Sequence, residues 1–218
     1  MVNSEYYSQV FHEIKNSVTL INSYMQLIEK KHSEITAFDY WSTSRKETAR
    51  LCSITTELSQ VKLGSQLVLD CIDLRDFLSG CCSGFRCSAG EDEISCTLSM
   101  PAQPLMVSID SRQLRHAIVN LLKNSCEAMK YHGRILVDAF QESGDAVIHI
   151  TDFGCGISDS MIRHIFDPFT TTKEDGSGLG LNIARQVIIA HNGTIAVASR
   201  EGDGCTFTVT LPLAPSAT

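Results

Sequence analysis

Two glycine-bearing loops, Asp152-Phe-Gly-Cys-Gly156 and Gly176-Ser-Gly-Leu-Gly-Leu181, constrain this chain more than any other feature. The strand-like run Asp145-Ala-Val-Ile-His-Ile-Thr151 ends at Asp152, where a carboxylate is placed to accept a hydrogen bond from a base edge. Gly154 and Gly156 let backbone pass close beside it. The second loop runs straight into the helical sequence of residues 181–190, so its free N–H groups and the helix N-terminus suit an anion such as phosphate. Either loop alone is an ordinary turn; the two within one segment read as a nucleotide site. No Gly-x-x-x-x-Gly-Lys-Ser/Thr run is present, so neither a Walker nor a Rossmann fold is indicated.

A chain of 218 residues, 43% of them hydrophobic, buries a full core and carries an appendage besides. The formal charge of −7 argues against nucleic acid as the main partner. No run of eighteen apolar residues exists and Met1-Val-Asn-Ser-Glu-Tyr-Tyr is too polar for a signal peptide, so no direct membrane span is expected and the place of action reads as cytoplasmic. Nine cysteines without a Cys-x-x-Cys pair then read as reduced thiols rather than as a metal or disulfide framework.

Residues 4–31 place Tyr7, Val10, Phe11, Ile14, Val18, Ile21, Met25 and Ile28 at three- and four-residue steps, a helix with one apolar stripe. After a polar interruption at 32–38, Tyr40, Leu51, Ile54, Leu58 and Val61 mark a second helix ending near Gly64. Two helices cannot enclose a core. A second copy completes them as a four-helix bundle across a two-fold axis, making a homodimer; packing against the rest of the same chain is the alternative. His12 lies on the first helix within Phe11-His-Glu-Ile-Lys-Asn16, with Asn16 one turn later on the same face and Glu13 about a hundred degrees away.

From residue 66 the pattern turns to strands mixed with helices. Residues 67–72, 94–98 and 105–109 read as strands and 74–86 as a helix. Asp110 or Ser111 caps a helix carrying Leu114, Ile118, Leu121, Leu122, Cys126 and Met129 on one face and closed by Gly133. Asn120, Lys123, Asn124 and Glu127 form a polar strip beside that face. Polar strips are usually solvated, yet asparagine is a poor helix former and its carboxamide oxygen suits a hard cation such as Mg²⁺. Residues 134–140 and 146–151 form a hairpin. The stretch 158–178 reads as a long connection with lid character, anchored by Phe166 and Phe169. Strands at 193–199 and 205–211 finish a mixed sheet with helices on one face, an α+β sandwich.

Here the residues carry a resemblance. Phe11-His-Glu-Ile-Lys-Asn16 resembles the phosphoacceptor box of bacterial sensor histidine kinases, Asn120-Leu-Leu-Lys-Asn124 their asparagine box, and Asp152-Phe-Gly-Cys-Gly156 their first glycine box. Phe166-Asp-Pro-Phe169 is similar to their phenylalanine box and Gly176-Ser-Gly-Leu-Gly-Leu181 to the second glycine box. The fold this implies is an N-terminal antiparallel helical hairpin, residues 1–65, for dimerisation and phosphotransfer. A two-layer sandwich of the Bergerat ATPase type, residues 66–218, follows it. The chemistry it implies is ATP-dependent phosphorylation of His12, with Glu13 taking a proton or hydrogen bond from the ring. Asp152 would bind the adenine amino group. Asn124, helped by Asn120, would ligate Mg²⁺, and Lys123 would contact phosphate.

The resemblance also implies that Gly154, Gly156, Phe166, Gly178, Leu179, Gly180 and Leu181 shape the nucleotide site, while Thr171, Thr172, Lys173, Gly176 and Ser177 belong to its lid. The phosphoryl group would pass to an aspartate on a response-regulator receiver domain, and Asn16 would orient the water that later dephosphorylates it. Ser17 stands where the family commonly has proline, so a proline bend in the first helix is not expected. With no sensor segment before His12, the sequence reads either as a cut fragment or as a kinase signalled by a separate sensor protein. A catalytically quiet ATP-binding module that holds a regulator is a second reading; a nucleotide-gated clamp or a serine kinase is a third, disfavoured by the His-Glu pair.

Overall fold

The computed structural model describes residues 4–60, 67–84, 94–173 and 176–215. They divide into two units, one formed by Met1–Gln66 with Pro168–Leu179, the other by Leu67–Asp167 with Gly180–Thr218.

In the first unit, α1 (Ser4–Lys31) and α2 (Asp39–Gln60) run antiparallel about a short 3₁₀ turn, Ser33–Ala37. The periodicity of the sequence is met at both ends of α1 because it is a local property of the chain. The expected end of α2 near Gly64 falls outside the described residues. Val18, Met25 and Thr55 are buried between the helices. Trp41 donates through Nε1 to Glu29 at 2.8 Å, Arg45 bonds Asn22, and Cys52 Sγ lies 3.9 Å from the Val18 carbonyl. Ser17, where proline was missed, donates its hydroxyl to the Glu13 carbonyl at 2.9 Å, and Thr19 and Ser23 repeat that back-bonding. Such bonds let hydroxyl residues sit inside a helix without leaving it.

In the second unit, a five-stranded sheet has the order β2-β4-β5-β7-β6. Its strands are β2 (Ile94–Ser99), β4 (Gly133–Glu142), β5 (Asp145–Asp152), β6 (Thr194–Arg200) and β7 (Gly204–Pro212). Only the β2–β4 pair is parallel. Cys205, Phe207, Val209 and Leu211 of β7 turn into the core, while Thr206, Thr208 and Thr210 are half-buried on the other face. Helices α3 (Leu74–Gly84), α4 (Ser111–Ala128) and α6 (Gly180–Ala190) pack on the sheet, giving the two-layer α+β sandwich. At about 25 cal/mol per Å² of apolar area, burial of Leu114, Ile118, Leu121 and Leu122, each fully covered, holds α4 in the layer. No described helix is long and apolar enough to cross a membrane, and the described cysteines are free thiols.

Three boundaries differ from those the sequence suggests. The first strand is β1 (Asp70–Asp73), pairing antiparallel with β3 (Met106–Ile109), not residues 67–72. Its partner ends at Ile109 because Asp110 turns to cap α4, so Val68 and Leu69 have no strand to pair with and stay exposed. Helix α4 stops at Ala128 rather than at Gly133: Lys130 and Tyr131 take positive φ, the Tyr131 N–H bonds back to the Cys126 carbonyl at 2.9 Å, and Gly133 opens β4. The connection from 158 holds a short helix, α5 (Asp159–Ile162), too brief to leave a periodic signature.

Candidate functional site

Asp152 ends β5 between β4 and β7, a position that leaves it 2% exposed. Its Oδ1 accepts the Gly154 N–H at 3.0 Å, closing the turn into the first glycine loop. Burial pushes the carboxyl above its ordinary value, opposed by that N–H. The Ser125 hydroxyl, wholly buried on α4 beside Asp152, and the Cys205 N–H also oppose the shift. A carboxylate buried at a strand end beside a buried hydroxyl keeps acceptor capacity for a donor on a guest. Across the ladder, burial and the nearby Asp152 charge push the Cys205 thiol up to about 12, so it stays protonated and inert.

The glycines are needed for close approach. Gly156 has φ +69°, and a Cβ there would overlap the Arg200 carbonyl oxygen. Gly204, φ +91°, lies equally close to the Asp152 carbonyl. The loop is also tied down by the Cys155 N–H to the Ala128 carbonyl, 3.2 Å, and by the Gly202 N–H to the Cys155 carbonyl, 2.8 Å. Together these clamp the peptide on either side of Asp152.

The polar strip sits on α4, whose N-terminus is fixed from two sides. Asp110 accepts the N–H groups of Arg112 and Gln113 at 3.2 and 3.1 Å, and its own N–H donates to His191 Nε2 at 2.9 Å. Since His191 Nδ1 lies 2.7 Å from the Val187 carbonyl, the ring carries its proton on Nδ1. On the strip itself, Asn120 donates through Nδ2 to the Gly180 carbonyl at 3.3 Å, which turns its Oδ1 to the acceptor side. Asn124 follows one turn later, half-buried; Lys123 is exposed with Nζ 3.8 Å from Glu127. Two carboxamide oxygens on adjacent turns match a hard, partly hydrated Mg²⁺.

Phe166 is held by the Asn182 Nδ2, 2.9 Å from its carbonyl, and by the Arg185 guanidinium, 5.7 Å above its ring. Leu181, on the same helix, is half-buried. Thus the second unit carries Asn120, Lys123, Asn124, Asp152, Gly154, Gly156, Phe166, Gly180 and Leu181, with Asn120 bonded to Gly180. The first unit carries the rest. His12 lies on α1, with Glu13 and Asn16 exposed along it. In its loop, Thr171 Oγ1 accepts the Lys173 N–H at 3.0 Å and the Gly176 N–H reaches the Lys173 carbonyl at 3.3 Å, beside the exposed Thr172. Gly178, φ +69°, packs against the Phe169 and Thr170 backbone, and Ser177 and Leu179 are buried.

Reasoning from sequence missed Ser125, Gly204, Asn182 and Arg185. Nothing local marks Ser125, which sits on the core side of a helix next to Asn124. Gly204 carries a signal, a glycine at a strand start, but reads only as a turn residue.

Comparison with known proteins is consistent with this geometry. Residues 109–215 match the profile described as histidine kinase-, DNA gyrase B-, and HSP90-like ATPase. The chain is 30% identical over 207 residues to the signal transduction histidine-protein kinase AtoS of Escherichia coli K12, covering 94% of this chain and 34% of that protein. It is 31% identical over 205 residues to the sensor histidine kinase ZraS of the same organism, covering 94% and 44%. The chain therefore spans less than half the length of these curated relatives. Among solved structures, full-length ShkA in complex with AMPPNP shares the fold with a TM-score of 0.75 at 22% identity, covering all of this chain and 47% of that one. The mycobacterial sensor histidine kinase MprB matches with a TM-score of 0.59 at 28% identity, covering 68% of this chain and 99% of that one.

Proposed function

The chain belongs to the sensor histidine kinases, and on that premise we propose that it is an ATP-dependent protein-histidine autokinase that phosphorylates its own His12. The observation that carries the nucleotide part is the buried Asp152 carboxylate at the end of β5 beside the buried Ser125 hydroxyl. Asp152 accepts a hydrogen bond from the adenine amino group, and Ser125 supplies the adjoining polar contact. Asn124 and Asn120 hold Mg²⁺, which neutralises phosphate charge. Lys123 and Lys173 add positive charge, and the backbone N–H groups around Gly178 and Gly180 cradle the phosphates. Gly154, Gly156, Phe166, Leu179 and Leu181 shape the walls, and the loop carrying Thr171, Thr172, Gly176 and Ser177 closes over the phosphates.

A ring nitrogen of His12 attacks the γ-phosphorus of ATP in line. The N–P bond forms, the P–O bond to the β-phosphate breaks, and ADP leaves with the electron pair. The proton on the other ring nitrogen moves to Glu13, which keeps the attacking imidazole neutral. The protein contributes positioning and charge rather than covalent chemistry of its own.

The phosphoryl group then passes to an aspartate on a response-regulator receiver domain, in the cytoplasm where both ATP and such domains reside. A homodimer completes the hairpin. Ile14, Ile21 and Ile28, at seven-residue spacing, are exposed together with Leu20, Tyr24, Leu27 and Leu51. Full burial of such a side chain is worth about 1.5–3 kcal/mol and these are about half exposed, so covering each gains about half of that, and a second copy forming a four-helix bundle is the natural cover.

Incubation with Mg²⁺ and γ-labelled ATP tests the reading. Label lost in acid and retained in alkali is expected; label stable in acid would point to serine or threonine and overturn it. Asn16 orients the water that dephosphorylates the receiver domain, so Asn16→Ala retains autophosphorylation and loses regulator phosphatase activity. Equal loss of both activities would remove that role.

A further inference from the structure

Within the first unit, one side chain of α2 holds the loop proposed to carry the phosphates. The Ser177 hydroxyl straddles the Glu57 carboxylate, 2.8 Å from Oε1 and 2.7 Å from Oε2, across 120 residues of sequence. Ser53 donates to the same Oε1 at 2.9 Å and fixes the Glu57 rotamer from one turn earlier on the helix. On the loop side, Ser177 is buried and its Oγ accepts the Leu179 N–H at 3.2 Å, so its orientation sets that of the next two peptides. Hydrogen bonds to a charged acceptor are among the stronger ones, here in a position largely shielded from water.

The place of Glu57 along the hairpin gives the contact its meaning. Trp41 meets Glu29, Arg45 meets Asn22 and Cys52 meets Val18, each pair joining residues about equally far from the turn. Continued along the two helices, that pairing carries Glu57 to the level of His12 and Glu13. A loop held by Glu57 is therefore held level with the residue that accepts the phosphoryl group.

We propose that Glu57 is a positioning residue for autophosphorylation: by holding Ser177 it keeps the second glycine loop level with His12. The proposal rests on the kinase reading above. Glu57 touches neither the base site nor the cation ligands, so its removal lowers the transfer rate by more than it weakens nucleotide binding through the loop.

The test compares wild type, Glu57→Ala and Glu57→Gln by the rate of labelling from γ-labelled ATP over a range of ATP concentrations, and by amide exchange at Leu179. Glu57→Ala is expected to label at least tenfold more slowly with a much smaller rise in the KM for ATP, and to exchange the Leu179 amide faster. Glu57→Gln keeps an acceptor oxygen at the same reach and recovers part of the rate. Labelling of Glu57→Ala at the wild-type rate, unchanged Leu179 exchange, or a KM that rises in step with the fall in rate would overturn the proposal while leaving the kinase reading intact. A wild-type protein that takes up no label at all would overturn both.

Discussion

A His12→Gln chain is expected to bind ATP with the wild-type affinity and to incorporate no acid-labile phosphate. Glutamine suits a helix interior at least as well as histidine, so α1 persists, and its carboxamide offers no nucleophilic ring nitrogen. His12 lies on α1 in the first unit, whereas the proposed base and cation ligands lie in the second. Loss of transfer with retained binding is therefore the outcome that separates a phosphoacceptor from a structural histidine. Isothermal titration with a non-hydrolysable ATP analogue beside the labelling assay reads both quantities. Residual label at the wild-type level would move the acceptor to another residue.

Removal of the base acceptor has the opposite signature. Asp152→Ala is expected to weaken adenine nucleotide binding by tenfold to more than a hundredfold, the range set by about 1.5–3 kcal/mol for a hydrogen bond to a charged group. Labelling at low ATP falls with it, and a nucleotide lacking the exocyclic amino group binds the variant as well as ATP does. Asp152→Asn adds a pH signature. Since burial raises the carboxyl in the folded chain, the folded state holds the proton more tightly than the unfolded one. Stability is then greatest at low pH and falls as pH rises from the ordinary carboxylate value of 3.8 through the raised folded value. Asparagine keeps an acceptor for the Gly154 N–H without that charge. Melting of the nucleotide-free proteins should show Asp152→Asn more stable than wild type at neutral pH, with the advantage vanishing toward pH 3; a constant difference across pH would exclude the buried charge as its cause.

Much of this protein is legible without coordinates. The limits of α1, the hairpin of β4 and β5, the Asp110 cap of α4 and the helix opening at Gly180 all follow from period, turn chemistry or capping, which act between residues a few positions apart. The candidate residues stand out in the sequence for the same local reason: Asp152, Asn120, Asn124 and the two glycine loops are each residue types that ordinary strands and helices avoid. Where reading by neighbours stopped short at β1, a distant partner had decided the matter. Strand β1 is four residues long because its distant partner β3 turns into a cap; α4 ends early for a local reason, the left-handed backbone of residues 130 and 131, which Lys and Tyr do not announce.

What the sequence by itself determined is therefore the inventory: a helical hairpin bearing His12, an α+β domain, and the types of group that the proposed site would use for base, cation and phosphate. Tertiary structure alone decided their states. Asp152 is an unusual acid because the paired β4 and β7 and the Ser125 face of α4 exclude water from it. Gly204 proves indispensable only because it crosses the Asp152 carbonyl, and Glu57 acquires a role only by meeting Ser177. Burial and long-range hydrogen bonds depend on which segments meet, and no local pattern of residues encodes that.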